Sequence, residues 1–243
     1  MFASVSGIVG HPQPSPIYSL DTTERFGQGE ILKAFDPYWG GAEFMYVKFG
    51  GTVGERGLVS ILTTYNSTTK RWEQVATACA NTANLGRSVG VAMRGATSGQ
   101  FGWIMISGVT PINGTASVAA DTAFGITAAG QVGANTAGKQ ILNARIVAAA
   151  TTTVALANST GVSGSYEIRV PTTDGLFIGA YMSGTGVGAS AKISAIDPSN
   201  NSITVDVANS AAINGTVTAT YNNATIYYNV AYINRPFAQG AIT

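Results

Sequence analysis

The sequence predicts an all-β protein, with an antiparallel β-sandwich, jelly-roll or barrel-like main domain and a small inserted β module. Three observations lead there. Apolar and polar residues alternate with period two through much of the chain, as half-buried antiparallel strands require. Turn-forming pairs punctuate these runs: Asp36-Pro37, Gly50-Gly51, Asn113-Gly114, Asp197-Pro198 and Asn214-Gly215. Only residues 135–150 have a helix-like composition. Their run into Thr151-Thr152-Thr153-Val154 argues for a strand, which leaves that segment open between the two.

Taken in order, residues 1–19 read as an extended arm, because alternating prolines in His11-Pro12-Gln13-Pro14-Ser15-Pro16 fix φ and favour a polyproline-like course. Residues 20–160 together with 226–243 form the expected main domain, entered by the aromatic run Glu43 to Phe49 between glycines. Near residues 155–165 a stretch of small and polar residues interrupts the pattern, and residues 161–225 are expected as the inserted module. Its strands show as Tyr166, Ile168 and Val170 alternating with Glu167 and Arg169, then as Ile203, Val205 and Val207. Val217, Ala219 and Tyr221 follow with threonines between them. The closing run places Tyr228, Val230 and Tyr232 inward, with Asn229 and Ala231 outward.

Charged residues make up only 10% of the 243 positions, against roughly 25% in ordinary soluble domains. Such a surface suits cover by copies of the chain or by a partner. With a net charge of +1, no strong field draws nucleic acid, and no apolar run is long enough for a membrane-spanning helix. The lone Cys79 excludes an internal disulfide and a cysteine-based zinc site, and the first ten residues lack the pattern of a signal peptide. Asn-x-Thr or Asn-x-Ser triplets at Asn66, Asn113 and Asn214 are expected by chance in so Asn- and Thr-rich a chain.

Motifs for catalysis are weak. Gly133 to Gln140 imitates a phosphate-binding loop, but Gln140 stands where a magnesium-holding hydroxyl belongs. Gly184, Gly186 and Gly188 lack the strand–helix–strand setting of a dinucleotide loop and read as a hairpin tip or bulge. His11 is the only histidine and falls in the proline arm, which disfavours a Ser–His–Asp or Cys–His arrangement. The acidic residues are scattered, without calcium-loop spacing. No catalytic residue, metal or cofactor is therefore expected. Trp39, Trp72, Trp103, Arg94 and Arg235 belong to the residue types that dominate protein interfaces, with core packing as the competing reading for the tryptophans.

Several ordered segments carry a resemblance. Asp36-Pro37-Tyr38-Trp39-Gly40-Gly41-Ala42-Glu43-Phe44-Met45-Tyr46-Val47, Asn81 to Asn84 with Val89 to Met93, and Phe101 to Gly108 are similar to segments of tailed-bacteriophage capsid decoration (cement) proteins. Ile233-Asn234-Arg235-Pro236-Phe237-Ala238-Gln239-Gly240 resembles the C-terminal end of the same group. The resemblance implies a β-rich, non-enzymatic virion protein. Such a protein is made in the host cytoplasm and sits on the capsid exterior as a homotrimer, with the major capsid protein as partner. Trp39, Arg235 and Phe237 are the interface residues expected first, since they combine anchor-type side chains with these segments. The module at 161–225 departs from the shorter family members. A head-fibre or tail protein for host attachment is the alternative within the virion. Outside it stand a glycan hydrolase, which needs two carboxylates brought together, and a secreted adhesin.

Overall fold

In the computed structural model, which describes residues 3–4, 17–36, 38–223 and 225–241, the chain is all-β, with no helix among them. In chain order the strands are β1 Ala3–Ser4, β2 Leu20–Asp21, β3 Ile31–Asp36, β4 Gly40–Phe49, β5 Leu58–Asn66, β6 Arg71–Ala78 and β7 Arg87–Ala92. There follow β8 Phe101–Gly114, β9 Phe124–Ala128, β10 Gln131–Ala134, β11 Ile141–Ala148, β12 Thr153–Gly161, β13 Glu167–Arg169 and β14 Tyr181–Ser183. The last four are β15 Ile193–Asp197, β16 Ser202–Val205, β17 Ile213–Thr220 and β18 Tyr227–Ala238. They fall into two compact units, one of residues 2–149 and 229–243, the other of residues 150–228.

In the larger unit the pairings β4–β6, β6–β5, β5–β7, β7–β8 and β8–β4 return to their starting point, so five strands close into a barrel. Closure removes the open edges that an isolated sheet leaves exposed. The sheet is mixed rather than wholly antiparallel, because β4 runs parallel to β6 and β10 parallel to β8. Alternation along β4 sends Val47 and Phe49 into the barrel with Val59, Ala76, Ala92 and Ile104. It sends Phe44 and Tyr46 outward into a second core with Val91, Trp103 and Met105. Both faces of β4, β7 and β8 are thus buried, and each large apolar side chain so placed contributes about 1.5–3 kcal/mol. The strands approach closely: a Cβ on Gly90 of β7 would lie 2.9 Å from the Met105 carbonyl oxygen of β8.

The outward core is roofed by a second circuit of pairings, in which β8 meets β10, β10 meets β9 and β11 meets β18, itself a neighbour of β8. The remaining join, β9 to β11, is made by the Gly125–Gln140 bridge and by backbone bonds between 121–122 and Ile146. The helix-like segment at 135–150 is therefore strand β11. Here the expected alternation of the closing run is overturned. Asn229 and Ala231 are fully buried while Tyr232 is exposed, because β18 is enclosed on both faces over residues 228–231. Asn229 holds the 115–118 turn: its Oδ1 accepts from the Val118 N–H at 2.8 Å and its Nδ2 donates to the Ala116 carbonyl at 2.9 Å.

Of the residues expected as an extended arm, 3–4 and 17–19 are described. Residues 3–4 pair with β3, Ile17 is buried in the core, and Tyr18 lies under the buried Arg56 guanidinium, 5.1 Å from ring centre to Cζ. Burial raises the Tyr18 hydroxyl pKa, with the Arg56 charge working against it. His11 to Pro16 lie outside the described residues.

The smaller unit begins at Ala150 rather than 161, because β12 is an inner strand of its sheet, flanked by β17 and β13. Six strands run in the order β14-β17-β12-β13-β16-β15. The ends then meet through a Tyr181–Lys192 bridge and backbone bonds between 179–182 and 191–193, so this sheet also closes. Ile168, Ile203, Val217 and Ala219 are buried, whereas Tyr166 and Val207, expected inward, are exposed where their strands end. The Asp197 turn shows why Asx residues mark loops: its carboxylate accepts from Ser199 and Asn200 backbone and side chain, and these bonds hold its pKa below the ordinary value.

Replacing Asn229 by Ala strips the buried Val118 N–H and the partly buried Ala116 carbonyl of their partner. Urea denaturation followed by Trp fluorescence is expected to show the larger unit destabilised by about 2–4 kcal/mol.

Candidate interface surface

The expected interface residues lie on segments whose geometry follows from local sequence. In β3 alternation turns Ala34 and Asp36 inward and leaves Ile31, Lys33 and Phe35 exposed. The buried Asp36 carboxylate then shapes the turn into β4, its Oδ1 accepting from the N–H groups of Tyr38 and Trp39 at 2.8 Å each. Tyr38 is exposed and stands edge-on to Trp39, ring centres 4.9 Å apart, while Trp39 itself is half-buried against the outward core. Trp39 is thus partly a packing residue, and its neighbour Tyr38 presents more of its ring to solvent.

Arg235 sits in an irregular stretch of β18. Between the pairs Ala144–Ile233 and Leu142–Phe237, β18 spends more residues than β11, and Arg235 takes φ +46° opposite Asn143 at φ +57°. Pro236, which cannot donate to a ladder, falls in this bulge. The bulge turns Arg235 outward to Glu43 of β4, at 2.8 Å, and Lys33 approaches the same carboxylate at 3.6 Å. Glu43 faces Ser107 across the β4–β8 ladder. Next to it Gly108 at φ +127° lets the strands touch, since a Cβ there would fall 2.8 Å from that of Ala42. A shallow depression of about 390 Å³ opens beside Phe35, Glu43 and Ser107. Two residues beyond Arg235, Phe237 is exposed beside Leu142 of β11, and Tyr232 is exposed opposite Arg145.

The structure therefore gathers Arg235 with Glu43 and Lys33, beside the exposed Phe35 and with Phe237 following on β18, and sets Trp39 into the core edge. Lys33, Phe35 and Glu43 were missed as site residues. Their signal was the alternation of residues 31–36, which puts Phe35 on the polar face, and the place of Glu43 within the 36–47 segment that carries the resemblance. Surface ion pairs of this kind contribute at most about 1 kcal/mol each, so the cluster acts by orienting side chains more than by stabilising the fold.

Elsewhere the reactive groups are occupied. Cys79 is fully buried, and burial pushes its thiol up to about 12. The Tyr46 hydroxyl pKa is raised by burial and by its hydrogen bond to Asp21, 2.9 Å away. Glu24 pairs with Arg71, Asp121 with Arg145, and Glu55 with Arg94. Lys139 of the loop-like motif donates to Asn81 at 2.9 Å, and strand β11, not a helix, follows it. Trp103 is core and Trp72 is strongly exposed. Among the described residues no three His, Cys, Asp or Glu side chains converge as metal ligands.

Glu73 is a buried carboxylate held by a hydrogen bond and an ion pair. Burial works to raise its pKa, but hydrogen bonds from Asn66 at 2.7 Å and Lys48 at 3.1 Å, with the charges of Lys48 and Arg71, hold it below the ordinary value of 4.5. A carboxyl lowered on folding stabilises above its unfolded pKa and loses that contribution as pH falls through the folded value. Thermal melts between about pH 5 and pH 3 are expected to fall less steeply for Glu73→Gln than for the parent chain. In thiol titration with a disulfide reagent at pH 8, Cys79 is expected to stay unmodified in the native protein and to react fully in denaturant.

No protein-family model, curated protein or solved structure matches this chain.

Proposed function

We propose that this chain is a non-enzymatic virion protein of a tailed bacteriophage that binds the outer capsid surface and stabilises the head. It would act as a homo-oligomer, a trimer in the reading that the resemblance implies, with the major capsid protein as partner. One observation carries the reading. The segment around Glu43 and the segment around Arg235, far apart in sequence, are both segments that resemble decoration proteins, and their side chains meet at 2.8 Å on an exposed surface. Phe35 is exposed beside Glu43, and Phe237, two residues beyond Arg235 on β18, is exposed too, both aromatics of the type that anchors interfaces. The low charge content supports it too, since charged residues are depleted in interface cores. Many copies, each adding a modest contact, would hold a shell against internal pressure collectively.

The test is quantitative mass spectrometry of purified particles, counting this chain per major capsid subunit. A ratio near one is expected, and heads stripped of the protein are expected to break at lower temperature than complete ones. Arg235→Ala with Phe237→Ala is expected to lower occupancy on stripped heads at least tenfold while leaving the monomer melting temperature nearly unchanged. A few copies per particle would move the protein to a fibre or tail, for which the exposed Val162 and Tyr166 of the smaller unit are the first contacts to test. Absence from particles overturns the reading.

A further inference from the structure

The β5–β6 hairpin outruns the barrel it helps to close. Val59 opposite Ala78 and Ile61 opposite Ala76 belong to the barrel interior, and the next pairs on the same face are Thr63–Gln74 and Tyr65–Trp72. The apolar lining therefore continues past the barrel mouth as an aromatic pair in solvent, Trp72 being 69% exposed and Tyr65 51%. Their ring centres lie 5.4 Å apart at 60°, an open platform rather than a packed stack. Exposing this much aromatic surface opposes stability, and nothing in the hairpin covers it. The turn beside the platform is defined by local bonds: Asn66 Oδ1 accepts from the N–H groups of Thr68 and Thr69, and Lys70 takes φ +56° to close it.

The chemistry around the rings is specific. Thr63 Oγ1 donates to Gln74 Oε1 at 3.1 Å, which leaves the Gln74 amide N–H groups and the Thr63 lone pairs for a ligand. The charges nearby cancel in pairs, Arg71 with Glu24 and Lys48 with Glu73. Lys70, exposed at the turn two residues from Trp72, makes no ion pair among the described residues. An apolar platform, a neutral hydroxyl and amide beside it and one uncompensated cation at the tip complement a ring with a C–H face, hydroxyl groups and a carboxylate.

We infer that the Tyr65–Trp72 platform binds an acidic polysaccharide, with a pyranose ring stacked on the aromatic pair and a uronate carboxylate directed to Lys70. The inference does not rest on the capsid reading. It needs only the hairpin, and it holds or fails independently of where the chain resides.

Affinity electrophoresis of the full chain through gels containing alginate, a uronate polymer, or dextran, an uncharged one, tests it. Retardation is expected in alginate and much less in dextran, with a blue shift of Trp emission on binding. Trp72→Ala and Tyr65→Ala are each expected to weaken alginate binding at least tenfold, about 1.4 kcal/mol. Trp72→Phe should retain most of it, and Lys70→Ala or added salt should remove the preference for alginate over dextran. Both aromatic positions are exposed, so unchanged melting temperatures will separate lost binding from lost fold. No retardation of the parent chain overturns the inference. So does retardation that survives Trp72→Ala, which would be general charge attraction. Loss of self-association or particle binding in Trp72→Ala, without glycan binding by the parent, assigns the platform to a protein contact and also overturns it.

Discussion

Everything in the larger unit depends on β8 being paired along both edges. This strand of 14 residues meets β2, β4 and β7 along its first half and β10 at its end, with β18 alongside. Because it closes the five-stranded circuit and also starts the second, both of its faces are buried and nearly every residue from Gly102 to Gly114 is enclosed. A strand in that position cannot shift register by one residue, since each face would then meet the wrong core. The barrel and the layer over it are therefore fixed together. The surface around Glu43 inherits its geometry from the β4–β8 ladder.

Departures from regular pairing do the positioning. Gly108 lets β8 press against Ala42, and the bulge at Asn143 and Arg235 swings a guanidinium from β18 onto the carboxylate of β4. The Asp36 carboxylate folds the β3–β4 turn by taking two N–H groups that a regular strand would leave without partners. In the smaller unit a bulge between Leu156 and Ser159 plays a comparable part. Asn158 adopts φ +56° and Ser159 Oγ returns to the Leu156 carbonyl at 2.8 Å, so the buried hydroxyl is satisfied. Strain and bulges sit where strands must bend to close.

The chain has few charges and places them sparingly. Lys33, Glu43 and Arg235 make a cluster on the surface, Glu24 pairs with Arg71 beside the β5–β6 turn, and Glu73 is held by Lys48 and Asn66. Buried Arg56 is the exception. Its guanidinium lies over the Tyr18 ring and reaches Thr110 Oγ1 at 3.4 Å, tying the residues before β2 to the barrel wall. A long cationic side chain used this way offers stacking as well as charge, which lysine would not match.

The sequence by itself determined the all-β class and most strand positions, because a period of two and punctuation by Gly, Asn, Asp and Pro are local properties of the chain. Residues 43–49, 202–205 and 216–220 were legible for that reason, whereas Asn214-Gly215, expected as a turn, lies inside β17, paired with Thr160 and Ser159 of β12. Arg235 and Phe237 could be named from residue type, and Trp39 with them. Tertiary structure alone decided that the sheets close, that two pairings are parallel, and that β12 belongs to the smaller unit. It also decided that Asn229 is buried while Tyr232 and Trp72 face solvent. The physical reason is that alternation states which residues share a face and says nothing of what covers it. A strand enclosed on both sides buries an asparagine that finds its hydrogen bonds, and a hairpin longer than its barrel exposes the aromatics that continue its inner face.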